Sequence, residues 1–281
     1  MTHPYCLTEE IRLEDDFLNF RGQSTGKAPS TDWCTFSLAA MFQDRFASYI
    51  VLWLATLGVV TLGAPPSFAW TNFDSNWAGP VYNSNAGTFK SVTGTFTVPT
   101  PSAPPDGSPD VQYAATAWVG IDGNSCKRAL LQTGVNFYVQ DGRVSYGAWS
   151  EWFPATQRFF HDITFATGDE VKLTVNATST TSGRAVIENL ATGQTVTRKL
   201  TSSSALFLQD AECIVGDFKR DGSLVPFSNF GSVAFTNAEA TTSEGATEGP
   251  SDASFILDIQ QNNKVLTSVT KSRTGAIINY V

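Results

Sequence analysis

From residue 70 onward the chain keeps no apolar pattern of helical period for more than ten residues, and it contains no internal repeat. It runs instead in short β-branched and aromatic segments cut by Asp122-Gly123-Asn124, Asp141-Gly142, Thr167-Gly168-Asp169, Thr192-Gly193 and Asp221-Gly222. Gly and Asp supply the conformations that tight turns require, so these dipeptides mark strand ends. Strands are predicted over 88–98, 114–121, 129–139, 144–152, 162–166, 170–177, 184–189, 194–200, 212–218, 232–236, 254–260, 264–270 and 276–280. Short strands at that spacing make an all-β sandwich or barrel. Two polar loops, 99–109 and 241–252, are placed to border a cleft.

The first 69 residues read differently. Residues 1–40 are mixed and acidic, with Glu9, Glu10, Glu14, Asp15 and Asp16, and show no periodicity. After Met41, Arg45 precedes an apolar run over 47–64 and then Ser67-Phe68-Ala69. A cation, an apolar core and a small-x-small site form a secretory signal, with cleavage expected after Ala69. Asp44 beside Arg45 and the length of the run keep a signal anchor as the alternative. The expected organisation is thus an extension over 1–40, mis-called or disordered with Met41 as the true start, a signal peptide over 41–69 and one domain over 70–281.

Charge and composition exclude several functions. Net charge is −8 and charged residues are 16% of the chain, so no basic patch exists to neutralise phosphates and no nucleic-acid partner is expected. The cysteines, Cys6, Cys34, Cys126 and Cys213, form no CxxC pair and no Cys/His cluster of ligand spacing, so no metal is expected. The domain has one histidine, His161, and neither GxSxG nor HExxH, which argues against serine and zinc hydrolases. Leu130-Leu131-Gln132-Thr133-Gly134 superficially resembles an aspartic-protease loop, but Gln132 stands where the carboxylate belongs and no second copy exists. What is left is one amide and one carboxyl in apolar strands. Gln132 sits mid-strand between Leu131 and Thr133, and Glu212 opens an apolar run, where burial is costly unless the group is neutral or hydrogen-bonded. On the residues alone, a polar residue on a solvated face and an exposed strand-end Glu remain open readings.

Taken in order, Ser75-Asn76-Trp77-Ala78-Gly79, Thr93-Gly94-Thr95-Phe96, Ala117-Trp118-Val119-Gly120-Ile121-Asp122-Gly123, Leu131-Gln132-Thr133-Gly134-Val135, Trp149-Ser150-Glu151-Trp152-Phe153-Pro154 and Ala211-Glu212 form a specific series. In this series the chain resembles the glutamic peptidases, the eqolisins, acid endopeptidases of the scytalidoglutamic peptidase type. The resemblance implies an antiparallel β-sandwich of two large sheets, concanavalin- or lectin-like. It implies that Gln132 and Glu212 are the catalytic pair, that Trp118, Asp122, Trp149 and Glu151 line the substrate cleft, that substrates are proteins or peptides, and that no cofactor is needed. The expected chemistry is a Glu212 carboxylate that takes a proton from the attacking water and returns it to the leaving nitrogen, with the Gln132 amide donating to the oxyanion.

Three positions depart from that pattern. Phe207 stands where the family often has the partner of the cysteine matching Cys126, so no disulfide is expected there. Cys213 stands where a Trp commonly follows the Glu, and Gly216 where an acid is frequent. Cys213 follows Glu212 on a strand and is expected to face the core, away from the cleft. Asn176-Ala177-Thr178 is a sequon, so a glycosylating host is expected to modify Asn176. The product is expected to be an extracellular monomer, off the membrane once the signal is cleaved. The alternative is a secreted carbohydrate- or peptide-binding β-sandwich without catalysis, with Trp118, Trp149 and Trp152 as stacking platforms.

Overall fold

The computed structural model describes residues 71–281. The extension, signal and anchor readings over 1–69 lie outside the described residues. The strands in chain order are β1 (Thr71–Asp74), β2 (Trp77–Asn83), β3 (Phe89–Thr97), β4 (Tyr113–Ile121), β5 (Leu130–Gln140), β6 (Arg143–Phe153), β7 (Arg158–Phe159), β8 (Glu170–Ser179), β9 (Ser182–Asn189), β10 (Gln194–Thr201) and β11 (Asp210–Gly216). They continue with β12 (Lys219–Arg220), β13 (Ser223–Leu224), β14 (Ser232–Thr242), β15 (Thr247–Glu248), β16 (Phe255–Gln261), β17 (Lys264–Val265), β18 (Thr267–Lys271) and β19 (Gly275–Tyr280). Among the described residues no helix is long and apolar enough to cross a membrane.

Two large sheets carry the fold. One has the order β1-β16-β2-β11-β4-β5-β6-β7, with β17 beside β16; the other runs β10-β9-β8-β3-β14-β19-β18, with β15 beside β14. Pairing is antiparallel except at one edge, where β1 runs parallel to β16. The reason for the layering is legible in β8: Val171, Leu173, Val175 and Ala177 are buried, while Lys172, Thr174 and Asn176 between them are not. A period of two buries one face. The core between the sheets is aromatic, with Phe96 lying 6.0 Å from Phe137 and 5.7 Å from Phe235 between ring centroids.

The central strand β4 is buried at every position. One of its faces joins the core through Ala115, Ala117, Val119 and Ile121. The other carries Trp118 into a second apolar cluster with Val81, Leu130, Trp149, Ile214 and Leu257. This sheet therefore has structure on both sides, and the functional site lies on the side away from the core.

Several boundaries differ from the sequence reading. Strand β2 is not among the predicted strands, yet it lies inside the sheet between β16 and β11. Gly79 has φ +147°, and a Cβ there would come 2.1 Å from the Cys213 carbonyl oxygen, so the close approach of β2 to β11 requires glycine. Strand β14 outruns its predicted end because a register shift at Asn237 (φ +48°) carries it on to Thr242. Residues 162–166 are not a strand: the Thr164 amide donates to Gln194 Oε1 and the Ala166 amide to Asp169 Oδ2, so side chains take the place of a ladder. Loop 241–252 is partly ordered by β15 and a short 3₁₀ turn, Pro250–Asp252.

Candidate active site

Register places the site. Glu212 of β11 pairs with Gly120 of β4, Gly120 pairs with Gln132 of β5, and Gln132 pairs with Glu151 of β6. Directly paired residues share a face, so this row crosses four strands on the side opposite the core. Adjacent strands are about 4.8 Å apart, which puts the Glu212 and Gln132 backbones about 10 Å from each other. Gly120 between them brings no side chain of its own, and its neighbours take up that space. A Cβ at Gly120 would stand 2.5 Å from Glu212 Oε1, 2.7 Å from Trp118 Cζ3 and 3.0 Å from Leu130 Cδ1. The Glu212 carboxyl therefore leans over the Gly120 backbone, beneath Trp118 and Leu130.

The next row on the same face is Ile214, Trp118, Gly134 and Trp149. Trp118 rests on glycines: a Cβ at Gly134 would meet its Cβ at 2.6 Å, and one at Gly216 would meet its Nε1 at 3.2 Å. Trp77 packs edge-on against it at 4.8 Å, and Trp149 Nε1 donates to Thr116 Oγ1 at 3.2 Å. These aromatics floor a cleft of about 670 Å³ lined by Trp77, Trp118, Leu130, Gln132, Trp149, Glu151, Phe153, Asp217 and Phe218, with Lys127 and Lys219 at its margins.

The charges are unusual for a surface groove. Glu212 is fully buried, and neither carboxyl oxygen has a hydrogen-bond partner. Burial, then the neighbouring Asp210 and Asp122 charges, holds its pKa well above the ordinary glutamate value. Glu151 is pushed up to about 7 by burial, partly opposed by the Gln132 hydrogen bond. Asp217 is pushed up to about 6 by burial, against hydrogen bonds from Gln261 and the Phe218 amide.

Of the residues expected at the site, Trp118, Gln132, Trp149 and Glu151 line the cleft, and Glu212 lies beneath it. Asp122 does not line it, which corrects the sequence reading. Asp122 is buried with φ +69°, and its carboxylate accepts the backbone N–H groups of Phe207 (2.6 Å), Leu208 (2.9 Å), Gln209 (2.8 Å) and Asp210 (3.2 Å). It holds the segment that enters β11, and so places Glu212. Trp152 is a second correction. Alternation turns it away from Trp149 and Glu151 into the core, where its Nε1 donates to the Ser204 carbonyl. Cys213 is a buried thiol in the core with Sγ toward the Thr93 carbonyl, and it forms no disulfide with Cys126. At the departure at 207, the Arg128 guanidinium lies over the Phe207 ring at 5.1 Å. Gly120, Leu130 and Asp217 went unnoticed as site residues in sequence; a glycine or a leucine in an apolar strand gives no polar signal, and only register and packing bring them to the row.

The fold, the cleft and the motif series converge on a glutamic endopeptidase. The Peptidase A4 family profile matches residues 75–280, and the chain belongs to that family. It is 47% identical over 225 residues to aspergillopepsin-2 of Aspergillus niger, covering 74% of this chain and 78% of that protein. It is 39% identical over 217 residues to scytalidopepsin B of Scytalidium lignicola, with the same coverage of 74% and 78%. Among solved structures it resembles scytalido-glutamic peptidase with a transition state analog inhibitor (TM-score 0.66, 38% identity, 74% of this chain and 99% of that one). It also resembles aspergilloglutamic peptidase from Aspergillus niger (TM-score 0.58, 51% identity, 60% of this chain and 99% of that one). The chain is an acid endopeptidase, and its substrates are proteins or peptides.

Proposed function

We propose that this acid endopeptidase is secreted and that Glu212 and Gln132 carry its chemistry, Glu212 as the proton-exchanging group and Gln132 as the oxyanion donor. The observation that carries the reading is the row Glu212–Gly120–Gln132, in which a buried carboxyl without a partner lies over the Gly120 backbone, beneath Trp118 and Leu130, and the Gln132 amide lines the cleft on the next strand. A water and a scissile peptide that reached the carboxyl past Trp118 and Leu130 would supply the partners it lacks. The raised pKa favours a start from the neutral acid at acid pH, where the sequence led us to expect the carboxylate.

From the neutral acid, one Glu212 oxygen gives its proton to the scissile carbonyl oxygen while the other takes a proton from the attacking water. Gln132 donates to the carbonyl oxygen as charge develops there. In the collapse, Glu212 protonates the leaving nitrogen and recovers a proton from a hydroxyl of the tetrahedral intermediate. One carboxyl thus serves both steps, and the amide keeps its donor at any pH. Trp118 and Trp149 form the apolar floor against which substrate side chains pack.

Hydrolysis of acid-denatured casein by folded variants tests the assignment. Glu212→Gln should abolish cleavage, because the other carboxyl of the row, Glu151, lies on the far side of Gln132 and is engaged by its amide. Gln132→Ala should lower kcat about 10²–10³-fold, the range for one lost oxyanion donor. Circular dichroism establishes that each variant keeps the fold, and a folded variant of either kind with the wild-type rate would sink the assignment.

A further inference from the structure

We propose that Glu151 is a positioning residue whose carboxyl anchors the Gln132 amide and so sets where it stands relative to the reacting groups. The proposal rests on the reading of Gln132 as the oxyanion donor and gives Glu151 a different task from the substrate contact expected of it in sequence.

The sequence sets up the pair. In Trp149-Ser150-Glu151-Trp152, alternation sends Trp149 and Glu151 to the cleft and Ser150 and Trp152 to the core. Glu151 is the direct antiparallel partner of Gln132, and Gln132 Nε2 donates to Glu151 Oε2 at 2.7 Å. Among the described residues this is the one hydrogen bond the Gln132 amide makes with another side chain. On the other side of Gln132 the register offers Gly120, which has no side chain to share the task.

An amide needs such a partner because its two edges are chemically opposite. The terminal torsion of Gln is broad and close to two-fold, so a half-turn exchanges N–H donors for a carbonyl acceptor at little cost. Only the donor edge can stabilise a developing oxyanion; the reversed amide would aim lone pairs at it. A carboxylate accepts and cannot donate, so it selects Nε2. Its neutral form keeps that bond through its carbonyl oxygen and can return its O–H to Gln132 Oε1, a two-point pair that no longer excludes the reversed amide but holds the amide plane and its distance from the reacting groups. Burial pushes Glu151 up to about 7, so at acid pH the two-point form is the relevant one. With one N–H held by Glu151, the second N–H of Nε2 diverges in the amide plane and is free for the substrate.

Steady-state kinetics on a chromogenic peptide at acid pH test this. Glu151→Leu should lower kcat about 10- to 100-fold, the scale of an angstrom-sized misplacement, with KM within about two-fold of wild type. Glu151→Gln should restore kcat to within a few-fold, since its amide can pair with Gln132 at both points as the neutral acid does. In a Gln132→Ala background, Glu151→Leu should cost nothing further. A rise in KM at unchanged kcat would make Glu151 a substrate contact and overturn the proposal, as would a full kcat loss in the Gln132→Ala background. If Glu151→Leu does not fold, Glu151→Asp serves instead: one methylene shorter, it should lose kcat, and a wild-type kcat overturns the proposal. The two readings fail differently. A wild-type rate in Gln132→Ala removes the oxyanion role itself, whereas a slow Gln132→Ala beside a fast Glu151→Leu removes only the positioning role.

Discussion

Gly120 does the least chemistry of any residue in the row and constrains it most. Its missing side chain leaves room for the Glu212 carboxyl, whose Oε1 stands 2.5 Å from where a Cβ would sit. Gly120→Ala would force that carboxyl, at the end of a flexible side chain, to swing aside. Overpacking of this kind costs about 1–3 kcal/mol, which a domain with this core survives. The proposed chemistry would not: an angstrom-scale displacement of the carboxyl proposed to exchange the proton should lower kcat at least about 100-fold. Thermal unfolding and kcat measured on the same preparation check this, and a folded Gly120→Ala protein with wild-type kcat would show that the gap is dispensable. The candidate pair stood out in sequence because Gln132 and Glu212 are polar residues in apolar strands. Gly120 and the contact between Gln132 and Glu151 were not, since they depend on which strands pair and in what register. Asp122 was misread for a related reason: a turn acid can face a cleft or its own backbone, and the motif is the same in both cases.

The segment Phe207–Asp210 and strand β11 act as one element, and Asp122 is what joins them to β4. Four backbone N–H groups converge on one carboxylate. Leu208 in this segment has φ +57°, a conformation that a free chain would leave. Removing the carboxylate leaves several buried donors without partners, each worth about 1–3 kcal/mol. Asp122→Ala is therefore expected to lose about 3 kcal/mol or more of stability in a urea titration, and to lose activity even where it remains folded, because Glu212 lies two residues beyond the segment. An effect below about 0.5 kcal/mol would mark Asp122 as the ordinary surface residue that a turn acid resembles. Elements with clean two-residue alternation, such as β8 and β9, were visible in sequence to within a few residues. Strand β2 was hidden because Gly79-Pro80 is turn chemistry in local terms, and only the approach of β11 makes that glycine part of a strand. Strand β14 was cut short because a bulge breaks alternation without ending the pairing.

Taken whole, the described domain buries several carboxyls, Glu212, Asp122, Asp210, Asp217 and Asp258 among them. The Lys172–Glu188 ion pair, at 3.5 Å and partly exposed, is of a kind worth about 0–1 kcal/mol. Glu151, Asp217, Glu212 and Asp258 all have pKa values raised by burial. For a carboxyl, a folded-state pKa above the unfolded one means that the folded protein holds the proton more tightly. The resulting stability is fully present below the unfolded values near 4 and is lost as pH rises through the folded values, about 6 for Asp217 and about 7 for Glu151. Asp110 is shifted the other way by its Ser108 hydrogen bond, but it sits in solvent. Between pH 4 and pH 7 these two groups alone should remove a few kcal/mol, and Glu212 should extend the loss. The melting temperature is thus expected to be highest in mild acid and to fall steadily toward neutrality. Asp217→Asn should flatten that fall, because an amide carries no proton to lose and can still pair with Gln261. Thermal unfolding of the purified protein across this range, at constant ionic strength, decides the matter. A melting temperature that rises from pH 4 to pH 7 would mean that the buried carboxyls ionise without cost, and the account of Glu212 as a neutral acid in the resting site would fall with it.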